Sequence, residues 1–155
     1  MKVDAAGHQG DIDENVQRML AADHAGARLG IVVTQAAQGA AVAQLVVTEH
    51  MTNGIGVAQG GFVFALADQA FACAANSVAQ RVATADASIS FVAPAHPGDE
   101  LEAVATVSYS DQKRVVVDVV VRSEDRVVAL FKGTARRFRG PGAHNGSTRR
   151  NVSAM

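Results

Sequence analysis

Tryptophan is absent from this 155-residue chain, tyrosine and cysteine occur once each, and proline three times. The lone Cys73 forms no intrachain disulfide and builds no thiolate metal cluster. With six Phe as the main aromatics, the core falls to small and β-branched side chains. Charge is scarce as well. Only 19% of residues are charged, 14 Lys+Arg stand against 15 Asp+Glu, and the net charge is −1. That balance excludes a nucleic-acid binder working by bulk positive charge. Global disorder is excluded too, because 48% of the chain is apolar. No uninterrupted apolar run approaches the ~18 residues of a membrane span. The opening MKVDAAGHQGDIDENVQ has no apolar signal-peptide core, and a soluble cytoplasmic protein is expected. No Gly-rich phosphate-loop motif is present.

What is there has the length of one domain. Residues 1–12 and 140–155 are polar and Gly-containing, without a period, and are expected to be loose tails around a folded domain at 13–139. Residues 13–25 have helical spacing, ended by Gly26 and Gly30. Residues 29–36 and 40–48 form two strands around the turn signal Gln38-Gly39. Residues 49–60 form a glycine-containing loop, and 61–79 form a helix apolar on all sides, which must be buried. Strands follow at 82–92, 101–109, 115–121 and 127–138. In the first of these, Ala83, Ala85, Ala87, Ile89 and Phe91 are expected on one face. The continuous VVVDVVV run at 115–121 suggests a strand covered on both faces or lying at a subunit seam. Successive strands with short turns and one apolar helix give an α+β fold, the helix wrapped by an antiparallel sheet.

Asp68 is the residue to explain, the one charge between Gly60 and Gln80. A buried lone carboxylate is costly unless it is paired or shifts its pKa. It either pairs with an Arg on the sheet, lies on a solvated helix edge, or serves as general base or nucleophile in an apolar cleft. Gly60-Gly61 marks the helix start. Unpaired N–H groups and the positive end of the dipole there suit an oxyanion. Eight residues separate Gly60 from Asp68, roughly 12 Å at 1.5 Å per residue. One chain cannot easily bring both to one carbonyl carbon. Two antiparallel copies of the helix across a two-fold axis can, which predicts a homodimer with sites at its interface.

The stretch from Asn53 to Asp68, NGIGVAQGGFVFALAD, resembles the signature of hotdog-fold acyl-CoA thioesterases, in particular the phenylacetic-acid-degradation family. Ala87 to Leu101 and the closing Leu130-Phe-Lys-Gly-Thr-Ala are similar to that family as well. The resemblance implies a hotdog fold and pairing into homodimers or homotetramers. It implies Asp68 as catalytic carboxylate, Gly60 as the backbone donor to the thioester oxygen, and Asn53 as orienting residue. Gln59, Gly61 and Gln69 would bind substrate, and Lys113 and Arg114 could reach CoA phosphates. Gln59 stands where the family usually has His, and Gln69 where a small hydroxyl residue is common. An amide can donate a hydrogen bond but carries no proton. No metal or redox cofactor is required. Cys73 reads as a small core residue, and the five scattered histidines show no metal-ligand spacing. The expected function is hydrolysis of an aromatic, phenylacetyl-type or medium-chain acyl-CoA. The alternatives are a thioester-binding protein with little turnover and a hotdog hydroxyacyl-thioester dehydratase, which would need a positioned His.

Overall fold

The computed structural model describes residues 10–138. The expected C-terminal tail and residues 1–9 of the N-terminal one lie outside them. Two short helices come first, α1 (Glu14–Ala21) and α2 (His24–Leu29). The expected single helix over 13–25 is thus split. Asp13 caps α1 by accepting from the Asn15 N–H, and Asp23 then caps a second helix by accepting from Ala25 and Gly26. Gly26 sits inside α2 rather than ending it, and Gly30, with φ +78°, ends it. Strands β1 (Val32–Ala37) and β2 (Ala40–Val46) follow. They turn at Gln38 and Gly39, both with positive φ (54° and 81°), the backbone that matches strand twist. A 3-10 turn at Glu49–Met51 leads to the long helix α3 (Gly60–Val78). The last four strands are β3 (Val82–Phe91), β4 (Glu100–Ser110), β5 (Arg114–Ser123) and β6 (Arg126–Arg137).

The six strands form one antiparallel sheet in the order β1-β2-β4-β5-β6-β3. Helix α3 carries the chain from β2 across the sheet to its far edge, so β3 pairs with β6 and not with its neighbour in sequence. One face of the sheet wraps α3. Ala41, Ala43, Ala103, Ala105 and Ala135 are buried with helix residues Ala67, Ala70 and Ala74. Phe131 packs against two helix rings, edge-on to Phe64 with centroids 5.4 Å apart and tilted to Phe71 at 5.7 Å. A Cβ at Gly133 would lie 2.6 Å from Phe71, so the sheet is dimpled there to seat the ring.

Two strand expectations change. The valines of β5 are not all covered: Val115, Val117, Val119 and Val121 are buried, while Val116 and Val120 are half-buried on the outer face with exposed Asp118 between them. In β3 the pairing with β6 jumps between Thr84 and Asp86, a bulge that switches faces. Val82 and Thr84 therefore share the helix side with Ala87 and Ile89, and Ala83 and Ala85 do not. By length and composition α3 would pass for a membrane span. Its packing against the sheet through Leu66, Ala70, Phe71 and Ala74 makes it a core helix instead.

The two edges of the sheet differ. Of the expected N-terminal tail, residues 10–12 are described, and they run along β1: Ile12 forms a parallel bridge with Ala36, whose N–H donates to Asp11. The outer edge of β3 has no partner among the described residues.

Candidate active site

The chain before α3 makes a closed excursion. The Gln59 N–H donates to Met51 O at 2.8 Å, Thr52 bridges Ala58, and the Asn53 N–H donates to Val57 O at 2.8 Å. Asn53 Oδ1 accepts from the N–H groups of Ile55 (3.0 Å) and Val57 (3.3 Å). Its amide oxygen is therefore occupied, and what Asn53 can still offer is its Nδ2 donor. Gln59 is the N-cap position of α3 but makes no side-chain cap bond. The N–H groups of Gly60 and Gly61 have no hydrogen-bond partner among the described residues. They stand at the positive end of a 19-residue helix, suited to a negatively charged oxygen. A side chain at Gly60 would have to displace the Phe91 ring, since its Cβ would lie 2.7 Å from Phe91 Cζ. The structure thus brings Asn53, Gln59, Gly60 and Gly61 together on one short segment.

Asp68 is two turns further along and half-buried. It is in no ion pair among the described residues, so the Arg-paired reading does not hold. Its carboxyl faces β3, where the Thr84 hydroxyl donates to it at 3.5 Å. Burial raises its pKa above the ordinary carboxylate value, and the Thr84 hydrogen bond offsets part of the rise. Gln69 points the other way. A Cβ on Gly26 would meet its Oε1 at 2.8 Å, and its Nε2 lies 4.0 Å from Cys73 Sγ. It lines a cavity of about 250 Å³ with Leu20, Asp23, Ile31 and Val33, under the N-terminal helices. A larger hollow of about 590 Å³, between Gly30, Gln44, Glu102 and Arg122, contains none of the expected site residues. Burial pushes the Cys73 thiol up to about 12, which makes it inert as a nucleophile.

Lys113 lies in the β4–β5 turn and Arg114 opens β5. Asp111 accepts both their N–H groups at 2.7 Å, is held down to about 2 by them, and pairs with the Arg114 guanidinium at 3.2 Å. Arg114 pairs across the sheet with Arg136, which pairs with Ala83. Both cations therefore sit at the Val82 end of β3, whereas Gly60 sits at the Phe91 end. Within one chain they are not brought together with the helix start. Sequence reasoning missed Thr84 and the contact of Phe91 with Gly60. Neither had a local signal, because only the pairing of β3 with β6 and the bulge at Ala85 aim them at the helix.

Residues 55–130 match the family model of the thioesterase superfamily. The chain is 35% identical over 128 residues to acyl-coenzyme A thioesterase PaaI of Escherichia coli (strain K12), covering 82% of this chain and 91% of that protein. The chain belongs to the thioesterase superfamily. Its fold is similar to the structure of the E. coli PaaI protein from the phenylacetic acid degradation operon. The TM-score is 0.79 at 34% identity, over 82% of this chain and 93% of that one. A variant of the phenylacetic acid degradation protein PaaI of Thermus thermophilus gives 0.73 at 34% identity, covering 75% and 100%. The hotdog fold expected from the sequence is the fold of this thioesterase-superfamily chain. The matched region holds the Gly60 turn and Asp68 along with β3, β4 and β5.

Proposed function

We propose that this protein hydrolyses acyl-CoA thioesters at sites shared between two copies of the chain. The observation that carries the reading is Asp68: a half-buried carboxylate without a cation, aimed at the one sheet edge that has no partner among the described residues. Two β3 edges paired antiparallel about a two-fold axis would set the Phe91 end of one strand beside the Val82 end of the other. Gly60 would then face the partner subunit's Asp68. The same pairing would carry the partner subunit's Lys113 and Arg114 toward the Gly60 end, within range of CoA phosphates. In that site the thioester oxygen accepts from the Gly60 N–H, and the Asn53 Nδ2 orients the carbonyl or the water. Asp68 takes a proton from the attacking water, or attacks the carbonyl itself and is freed by water. The tetrahedral intermediate expels CoA thiolate, which takes up the proton, leaving a free acid and CoA.

An arylacetyl acyl group is supported by the phenylacetic acid operon of the E. coli relative. A medium-chain acyl group is the other substrate class proposed. Pairs of dimers would give a tetramer. A cytoplasmic site fits a CoA ester substrate and a free, unoxidised thiol in Cys73. Gln59 favours a second reading, a protein that holds a thioester with little turnover, because an amide cannot carry charge at that position.

The test is thiol release from phenylacetyl-, hydroxyphenylacetyl-, benzoyl- and fatty acyl-CoAs, wild type beside Asp68→Asn. Wild type is expected to turn over at least one arylacetyl-CoA, and the variant to lose on the order of 10²–10⁴-fold in kcat. A variant as active as wild type overturns the mechanism. Binding without release by wild type establishes the second reading.

A further inference from the structure

Besides the Gln59 bond to Met51 O, the approach to Gly60 is tied to a carbonyl of a different segment, the loop 92–99 between β3 and β4. Ala95 O accepts the Ala58 N–H at 2.8 Å, two residues before Gly60, and Ala95 is buried. The ends of this loop are tied by the sheet. Val92 and Ala93 donate to Val128 O at 2.8 and 3.2 Å, while Gly98 donates to Val47 O and Val47 to Asp99 O, at 2.8 and 2.9 Å. Its middle is held by one side chain from outside the loop, Arg126 at the start of β6. The Arg126 guanidinium donates to Pro94 O with one nitrogen and to Asp99 Oδ2, at 2.8 Å, with the other. Asp99 Oδ2 also accepts the His96 N–H at 3.0 Å. One planar fork therefore joins the two halves of the loop and pins the peptide next to the Ala95 carbonyl.

We propose that Arg126 is a positioning residue for the Gly60 donor, acting through Pro94, Ala95 and Ala58. This rests on the thioesterase reading of the Gly60 turn. Arg126 is 42% exposed, and an exposed ion pair contributes little to stability. Its consequence is geometric. Without the fork, the Ala95 carbonyl loses its support and the segment that ends in Gly60 keeps only its ties to residues 51–53, so the donor drifts relative to the oxyanion. A displacement of about 1 Å at a remote support can cost on the order of a hundredfold in rate.

The experiment compares Arg126→Ala, Arg126→Lys and, as control, Lys132→Ala, which removes another exposed ion pair, Lys132–Asp118. Steady-state kinetics and backbone hydrogen exchange are read on the full chain. Arg126→Ala is expected to lower kcat roughly ten- to a hundredfold with KM little changed, and to raise exchange across residues 56–62. A lysine reaches one of the two acceptors, so Arg126→Lys should recover part of both. Lys132→Ala should change neither. Unaltered kcat and unaltered exchange in Arg126→Ala overturn the proposal, as does an equal loss in Lys132→Ala. If wild type itself shows no turnover, the thioesterase reading fails, and exchange at 56–62 alone decides whether Arg126 braces the turn. Should Arg126→Ala not fold, the same readouts on Arg126→Lys decide.

Discussion

The two edges of the sheet are treated differently by the same chain. Along β1, residues 11–13 return to pair with Ala36, and α1 and α2 follow. Along β3, ten residues of strand are left open among the described residues. An open edge of that length is an invitation to pair with another strand. Two neighbours in the middle of α3 divide in the same way. Asp68 faces the open edge through Thr84, while Gln69 faces the covered side through Gly26. Within one chain Gln69 contacts Gly26 of α2 and Cys73 of its own helix. The proposed second copy would meet the open side, and packing within this chain lies on the other.

The largest effect should come from spoiling the open edge. In the double variant Ala85→Lys, Ser88→Lys, an axis passing between the two positions sets position 85 of one copy opposite position 88 of the other, and like charges facing each other repel. Light scattering should show a monomer, and thiol release should vanish with the dimer. The exposed Gln35→Lys on β1 should leave mass and turnover unchanged. A monomer that still turns over would break the comparison.

Gly60→Ala comes next. The added methyl meets the Phe91 ring at 2.7 Å, and overpacking of this kind costs typically about 1–3 kcal/mol. Denaturant titration should show that loss, and Phe91→Leu should recover part of it. Thr84→Val gives a smaller, directional effect. Removing the hydroxyl leaves burial unopposed, so the Asp68 pKa rises further. A base must be ionised to act, so the acidic limb of the kcat profile should move to higher pH. The same sign governs stability. The folded pKa lies above the unfolded one, so stability falls as pH rises from the unfolded value through the folded one. Asp68→Asn should therefore melt higher than wild type at neutral pH. The smallest effect belongs to the covered side. At Gly26 the new methyl meets the far ends of two side chains, Gln69 Oε1 at 2.8 Å and Asp23 Oδ2 at 3.0 Å, and both can give way. Alanine also favours the helix by about 1 kcal/mol, so the thermal midpoint of Gly26→Ala should hold or rise.

Periodicity and turn chemistry made α3, the Gln38-Gly39 hairpin and most strands legible, because these depend on neighbours in sequence. The unpaired charge at Asp68 was legible for the same reason. Strand order was not: alternation says that 82–91 is a strand, not that it pairs with β6. The bulge at Ala85 then turned Thr84 toward the helix against the expected face. Asp23 hid a second helix start inside what looked like one helix. Lys113 and Arg114 were chosen by charge, which carries no position, and lie at the other end of β3 from Gly60. Arg126 gave no signal at all, since its partners are 27 and 32 residues away.

The alanines that line the sheet beneath α3 have a thermodynamic meaning of their own. Burying alanine freezes no side-chain rotamers, whereas longer side chains lose up to about 2 kcal/mol each in conformational entropy. This interior is ordered at little entropic cost and has few alternative packings. Across this smooth floor the helix is keyed to the sheet by its rings, Phe71 over Gly133 and Phe64 and Phe71 against Phe131.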